Sequence, residues 1–279
     1  MLSVENPSSV DKIRFMLTTN LSGVMQSLGY RQQQLVVCGY PRSGTSLLYN
    51  MLASTLRGRF TFTEFENYFI HHIHKLGSIA TKSPLDILHI KFIDDLNIHD
   101  KKLIILVMIR DIREVITSRH PIFPDNYFIG HDFSYWPQDS KFDKWKYDAP
   151  GVMQISNEIR DASKRDDVLL IKYEDLTSAP DMIQNTIEQR YGLKFSGVFS
   201  KYDKKSKSLP YRYSGKYEAR DPSLVLEGGG VIKREKRWMN PEHRARIVDQ
   251  FEKCPELFDL LVEYGYENDS SWYKCMIAK

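Results

Sequence analysis

Compact apolar runs alternate along this chain with stretches whose apolar positions recur three or four residues apart. Leu35–Cys38, Ile79–Thr81, Leu103–Ile109 and Val168–Ile171 are runs of the first kind, and Phe60–Thr63 alternates over a similarly short span. Leu103–Ile109 (LIILVMI) is the most apolar of them. Such a run fits a central strand buried on both faces, as in a parallel sheet. Helical spacing is predicted over Thr45–Leu56, Glu64–Leu76, Leu85–Leu96, Asp111–Arg119, Gly151–Lys164, Pro180–Tyr191, Pro241–Lys253 and Pro255–Tyr264. Ahead of these, residues 1–34 form a polar lead-in with one amphipathic helix over Ser9–Leu28. Strands alternating with helices predict an α/β fold, a central parallel sheet flanked by helices on both faces. No linker interrupts the pattern, so one domain is expected over residues 1–279. Two stretches break the rhythm. Residues 120–147 are rich in aromatic side chains set among prolines and aspartates, and read as a long loop. Residues 194–230 are polar, basic and rich in glycine and tyrosine, and read as irregular backbone.

Composition adds boundaries rather than direction. Hydrophobic residues make up 42% and charged residues 27%, as in an ordinary globular protein. A net charge of +3 gives no argument for nucleic acid. The cysteines, Cys38, Cys254 and Cys275, suggest no disulfide framework. A reducing compartment, and hence a cytoplasmic location, is expected. No run of about 18 apolar residues is present for a transmembrane helix, and the start lacks the basic and apolar regions of a signal peptide.

The chemistry begins at Leu35–Leu48, LVVCGYPRSGTSLL. An apolar strand meets Gly39 and Pro41, and helical spacing begins after Gly44. Strand, glycine-bearing loop and helix start make an anion site, because free N–H groups and the positive end of the helix dipole converge there. The loop nearly matches the nucleotide-binding pattern G-x-x-x-x-G-K-[ST]: Gly39, Gly44 and Ser46 fit, but Thr45 replaces the lysine. That lysine normally reaches the β- and γ-phosphates, so its loss argues against triphosphate chemistry. Arg42 supplies a cation from within the loop. A tight turn whose arginine only faces water remains the alternative. Cys38 has no arginine six residues on, which removes a phosphatase nucleophile and leaves a core cysteine.

A second constellation is Ile109–Arg119, IRDIREVITSR. Arg110 stands at the carboxyl end of the most buried strand, where open α/β sheets bind ligands. Ser118 lies eight residues on, about two helical turns away. Together they make a second phosphate site, unless Arg110 is instead paired with Asp111 or Glu114.

These two motifs, in this order, resemble the sulfotransferase family. PRSGTSLL is similar to its 5′-phosphosulfate loop and Arg110…Ser118 to its 3′-phosphate site. IKYEDL (Ile171–Leu176) resembles its Tyr-Glu-Asp segment, and ATKSP (Ala80–Pro84) resembles the Lys-x-Pro segment of its Golgi and bacterial members. The resemblance covers about residues 35–190 and lies closer to the tyrosylprotein and bacterial carbohydrate branches than to the cytosolic one. It implies a P-loop-like three-layer fold and the donor 3′-phosphoadenosine-5′-phosphosulfate, with 3′,5′-adenosine bisphosphate as product and no metal. Arg42, Ser43, Gly44, Thr45 and Ser46 would then hold the 5′ phosphosulfate, with Arg110 and Ser118 on the 3′ phosphate and Tyr173 near the adenine. Lys82 would be a second cation at the leaving group. The resemblance also implies a glutamate base about 20 residues beyond the loop. Glu64, 22 beyond Arg42, is the choice, with Glu66 and His72 in reserve. A late basic segment would cover the 3′ phosphate, from Lys233, Arg234 or Arg237. Residues 120–147 and 194–230 become acceptor-side segments. Aromatic residues set among Asp and Asn suit sugar faces and hydroxyls, which points to a carbohydrate or glycolipid acceptor. A P-loop kinase is the rival enzyme; it lacks its lysine, and Asp111 is a poor magnesium ligand here. A non-catalytic nucleotide-binding module is the other rival. His71, His72 and His74 do not put three ligands on one helical face, so no metal site is read into them.

Overall fold

The computed structural model describes residues 31–57, 60–64, 66–118, 128–138, 143–202 and 236–277. The helix expected over Ser9–Leu28 lies outside the described residues, as do Lys233 and Arg234. The strands are β1 (Gln33–Gly39), β2 (Leu56–Arg57), β3 (Phe60–Phe62), β4 (Ser78–Lys82), β5 (Lys102–Ile109), β6 (Phe128–Ile129), β7 (Phe133–Gln138), β8 (Asp143–Pro150), β9 (Val168–Lys172) and β10 (Lys194–Phe195). The α-helices are α1 (Thr45–Thr55), α2 (Ile93–Leu96), α3 (Ile112–Ile116), α4 (Val152–Ala162), α5 (Tyr173–Ser178), α6 (Pro180–Tyr191), α7 (Pro241–Lys253), α8 (Glu256–Glu263) and α9 (Ser271–Ile277).

The central sheet runs β3-β4-β1-β5-β9, and every pairing in it is parallel. The apolar runs are buried on both faces for the reason their composition gives. Val36 and Cys38 of β1 and Ile105, Val107 and Ile109 of β5 enter one core with Ile155, Phe251 and Leu257 from α4, α7 and α8. Leu35, Val37, Ile104, Leu106 and Met108 enter the opposite core with Leu48 and Leu52 of α1 and Ile187 of α6. β1 is the switch point, because the chain builds β4 on one side of it and β5 on the other. Ligand crevices of open parallel sheets form at such a point, beyond the carboxyl ends of the strands.

Several predicted elements take a different form. Glu64–Leu76 is not a helix: turns surround a single 3₁₀ turn at Phe69–His71. Leu85–Leu96 is mostly 3₁₀ (Pro84–Phe92) and becomes α-helical only at Ile93–Leu96. The helix expected over Asp111–Arg119 is confined to Ile112–Ile116. The described part of 120–147 is not a loop: β6, β7 and β8 form an antiparallel meander in which Trp136 and Trp145 share a register position. α5 and α9 are helices that the apolar spacing does not announce.

Candidate active site

The turn after β1 is built by contacts that leave little choice of residue. Gly39 adopts φ 125, and a side chain there would run into the backbone of Met108 on β5. The Tyr40 N–H donates to the Met108 carbonyl at 3.1 Å, and its hydroxyl meets Ser156 Oγ at 2.5 Å. Ser43 closes the turn: its N–H and hydroxyl donate to the Tyr40 carbonyl at 3.2 and 2.6 Å. Its side chain is therefore a brace within the loop. α1 then starts behind Gly44, with no side-chain cap and no acidic residue in its first turn. The first N–H groups of a helix have no partner within it, so this end offers donors and a positive dipole to an anion. Thr45 is buried there and Ser46 half-buried. Cys38, beneath the loop, is fully buried, and burial pushes its thiol up, away from nucleophilic use.

Arg42 joins this loop to the second motif. Its backbone lies at φ 67. Its Nε donates to Ser118 Oγ at 3.0 Å, while its carbonyl accepts from the Arg110 guanidinium at 2.8 Å. Arg110 also donates to Glu114 Oε2 at 3.0 Å. Arg110 is thus paired with Glu114, the alternative its sequence spacing left open, and the loop takes another of its nitrogens. Asp111 does not pair with Arg110. It caps α3 by accepting from the Arg113 N–H at 2.9 Å and binds the Arg113 side chain.

Lys82 ends β4 in register with Val37, the residue two before Gly39. Its side chain is buried and pairs with Glu66 Oε1. Burial pulls the Lys82 amine below the ordinary lysine range; Glu66 opposes that shift and Arg42 reinforces it. Glu66 adopts φ 58, and its neighbour Asn67 bridges to Lys82. One residue beyond Tyr68, both oxygens of the buried Asp86 accept the Phe69 N–H at 3.1 Å. Burial raises the Asp86 carboxyl well above the usual range. The fold therefore seats Glu66 on Lys82. Glu64 is exposed on the same turn, and its carbonyl accepts from Asn67 Nδ2 at 3.2 Å. His72 sits further along, its Nδ1 3.3 Å from Lys75 Nζ, and burial holds its imidazole below the usual range.

Tyr173, at the β9–α5 junction, completes the floor. Arg110 lies 4.4 Å above its ring. The opposite neighbour is Gly44, where an added Cβ would fall 2.5 Å from the ring. Gly44 is thus needed for its φ of 90 and for this close approach. From the late chain, Arg237 Nε reaches 3.6 Å from Glu114 Oε2, and the Trp238 N–H donates to Glu114 Oε1 at 3.3 Å.

Arg42, Arg110, Tyr173 and Lys82 accordingly gather near the start of α1 from the carboxyl ends of the central strands or the turns after them, and Ser118 joins them from the far end of α3. Of the two partners the sequence offers Arg110, Glu114 at i, i+4 spacing takes it and Asp111 does not. Asp86 is the site neighbour that the sequence does not point to, because one acidic residue in a helical pattern reads as solvated. Among the described residues, no group of three or more His, Cys, Asp or Glu is placed to hold a metal ion, and no helix is long and apolar enough to cross a membrane.

The family model of the sulfotransferase domain matches residues 32–210, more than half of the chain and both motifs of the site. No curated protein matches. Among solved structures, mouse sulfotransferase SULT7A1 complexed with PAP is similar, at 15% identity and a TM-score of 0.42, covering 80% of this chain and 83% of that one.

Proposed function

The chain belongs to the sulfotransferase domain family, and from that membership we propose that it moves a sulfuryl group from 3′-phosphoadenosine-5′-phosphosulfate to an acceptor hydroxyl. One observation carries the reading of the donor: Arg42 is tied to both Ser118 and Arg110, at 3.0 and 2.8 Å. Those contacts bring a second cation and a hydroxyl to the edge of the loop, as a two-phosphate donor requires. The N–H groups at the start of α1 would bind the 5′ phosphate, with Thr45 and Ser46 lining it. Arg110 and Ser118 would bind the 3′ phosphate, and Tyr173 would support the adenine side. Arg237 is the described late residue best placed to cover the 3′ end; Lys233 and Arg234 precede it.

The bound donor supplies an activated sulfuryl group with a phosphate as leaving group. Negative charge grows on the oxygen between sulfur and phosphate as an acceptor attacks in line. Arg42 from the loop and Lys82 from β4 would stabilise that charge, and a buried cation is worth more there than one in water. A glutamate of the turn after β3 would take the acceptor proton. Glu66 is the residue held at Lys82, and Glu64 is its neighbour on the same turn.

For the acceptor we favour a carbohydrate or glycolipid. The support is the aromatic segment that ends in the β6–β8 meander, where Phe128 and Tyr135 stack at 4.8 Å. The free thiols Cys38, Cys254 and Cys275, the last exposed, suit a reducing and hence cytoplasmic setting.

Calorimetry tests the donor assignment directly. The protein should prefer 3′,5′-adenosine bisphosphate over both ATP and 5′-AMP, and Arg110→Ala should remove most of that preference. Equal binding of 5′-AMP and the bisphosphate would sink the 3′-phosphate assignment. A preference for ATP would favour a kinase-like enzyme instead.

A further inference from the structure

Arg113 lies one helical turn from the donor site and does not face it. Its side chain is 1% exposed. The guanidinium carbon sits 3.9 Å from the ring centre of Trp238 and 4.5 Å from that of Trp272, and the two indoles meet edge to face. Asp111 binds it with two oxygens, at 2.9 and 2.7 Å, and Glu267 pairs with it at 2.6 Å. A buried cation held by two carboxylates and two aromatic faces is fixed in position and orientation.

The other face of the same segment is the donor face. Residues 110, 114 and 118 follow one another at i, i+4 spacing. Arg110 reaches the loop through the Arg42 carbonyl, Glu114 holds Arg110, and Ser118 receives Arg42. Thr117, next to Ser118, donates its hydroxyl to the Arg113 carbonyl at 2.6 Å. α3 itself is only five residues long. A helix that short has almost no stability of its own, so tertiary contacts decide where it sits. Apart from Asp111, the contacts that hold Arg113 come from Trp238, Glu267 and Trp272, all beyond residue 210, where the family match ends.

We propose that Arg113 is a positioning residue for the donor site: clamped by Trp238, Trp272 and Glu267, it sets α3 so that Arg110 and Ser118 stand at the 3′-phosphate distance from the loop. The chain beyond residue 236 thereby determines how strongly the site distinguishes a 3′,5′-bisphosphate from a 5′-monophosphate. The inference rests on the donor reading above.

The experiment is calorimetry on the full chain with 3′,5′-adenosine bisphosphate and with 5′-AMP. The readout is the ratio of the two affinities, which a loss of folded fraction does not move. Trp272→Leu should reduce the ratio about tenfold, by weakening the bisphosphate alone, because one buried cation–aromatic face is lost. Trp272→Phe, which restores an aromatic face, should recover most of it. Arg113→Lys keeps the charge and loses the planar stack and the paired hydrogen bonds, so it should reduce the ratio as well. It is also the variant to use if Trp272→Leu does not fold. An unchanged ratio in Trp272→Leu and Arg113→Lys, beside a collapsed ratio in Arg110→Ala, overturns the clamp and leaves the donor reading standing. An unchanged ratio in Arg110→Ala overturns the donor reading and the clamp with it.

Discussion

Glu66 holds φ 58, a left-handed conformation that costs a side chain with a Cβ about 1 kcal/mol or more. The turn is kept there by what surrounds it. Lys82 takes the carboxylate, Asn67 bridges to the backbone of Lys82, and Asp86 anchors the Phe69 N–H. Strain of this kind gathers where a side chain must be aimed. We expect Glu66→Gln to abolish sulfuryl transfer while leaving bisphosphate affinity intact, and Glu64→Gln to retain most of the turnover. Initial rates with a radiolabelled donor check both; loss of transfer in Glu64→Gln alone would assign the proton to Glu64. Counting residues from Arg42 reaches this turn but does not choose within it. What sets Glu66 apart from Glu64 is a positive φ beside a turn anchored by a carboxylate buried 20 residues later in the chain, and neither leaves a mark in the spacing of apolar positions.

The strands that hold the site are legible because a segment buried on both faces has to be apolar throughout. Leu35–Cys38 and Leu103–Ile109 are both strands for that reason. Shorter elements obey tertiary rules instead. Glu64–Leu76 has enough apolar residues for a helix, yet Asp86 captures the N–H of Phe69 and Gly77 turns the chain at φ 95. The aromatic segment carried a period of two at Asp143–Tyr147 (DKWKY), which the prolines nearby obscured. Where loop, helix and strand end meet, one atom matters. α1 approaches the β9–α5 junction through Gly44, whose missing Cβ leaves room for the Tyr173 ring. Gly44→Ala should therefore push Tyr173 and Arg110 out of place, lowering bisphosphate affinity at least tenfold and stability by about 1–3 kcal/mol. Titration calorimetry and urea unfolding measure the two effects; an alanine variant with wild-type affinity would remove the packing argument.

At the scale of the whole molecule the parallel sheet has two unlike ends. Arg42, Lys82, Arg110 and Tyr173 stand at the carboxyl end. Lys101, at the amino end where β5 begins, is 1% exposed, and its amine has no hydrogen-bond partner among the described residues. Burial pulls it from 10.5 down to about 8. Below about pH 8 the folded protein must carry that charge out of water, which opposes folding. Between about 8 and 10.5 the unfolded chain holds a proton that the folded one has released, so stability rises with pH. Lys101→Met should thus melt higher than the wild type at pH 7, and the gap should narrow as pH is raised from 8 to 9.5. Melting curves across that range decide it: a constant gap would mean that Lys101 does not titrate there.

The double tie at Arg42 has a consequence for selectivity. Its side chain and its carbonyl fasten the loop after β1 to the segment that carries Arg110 and Ser118. On the donor reading proposed above, a pocket bolted in this way would work as a gauge: it would judge a nucleotide by the separation of its phosphates rather than by their number, and extra charge at one end would add no affinity.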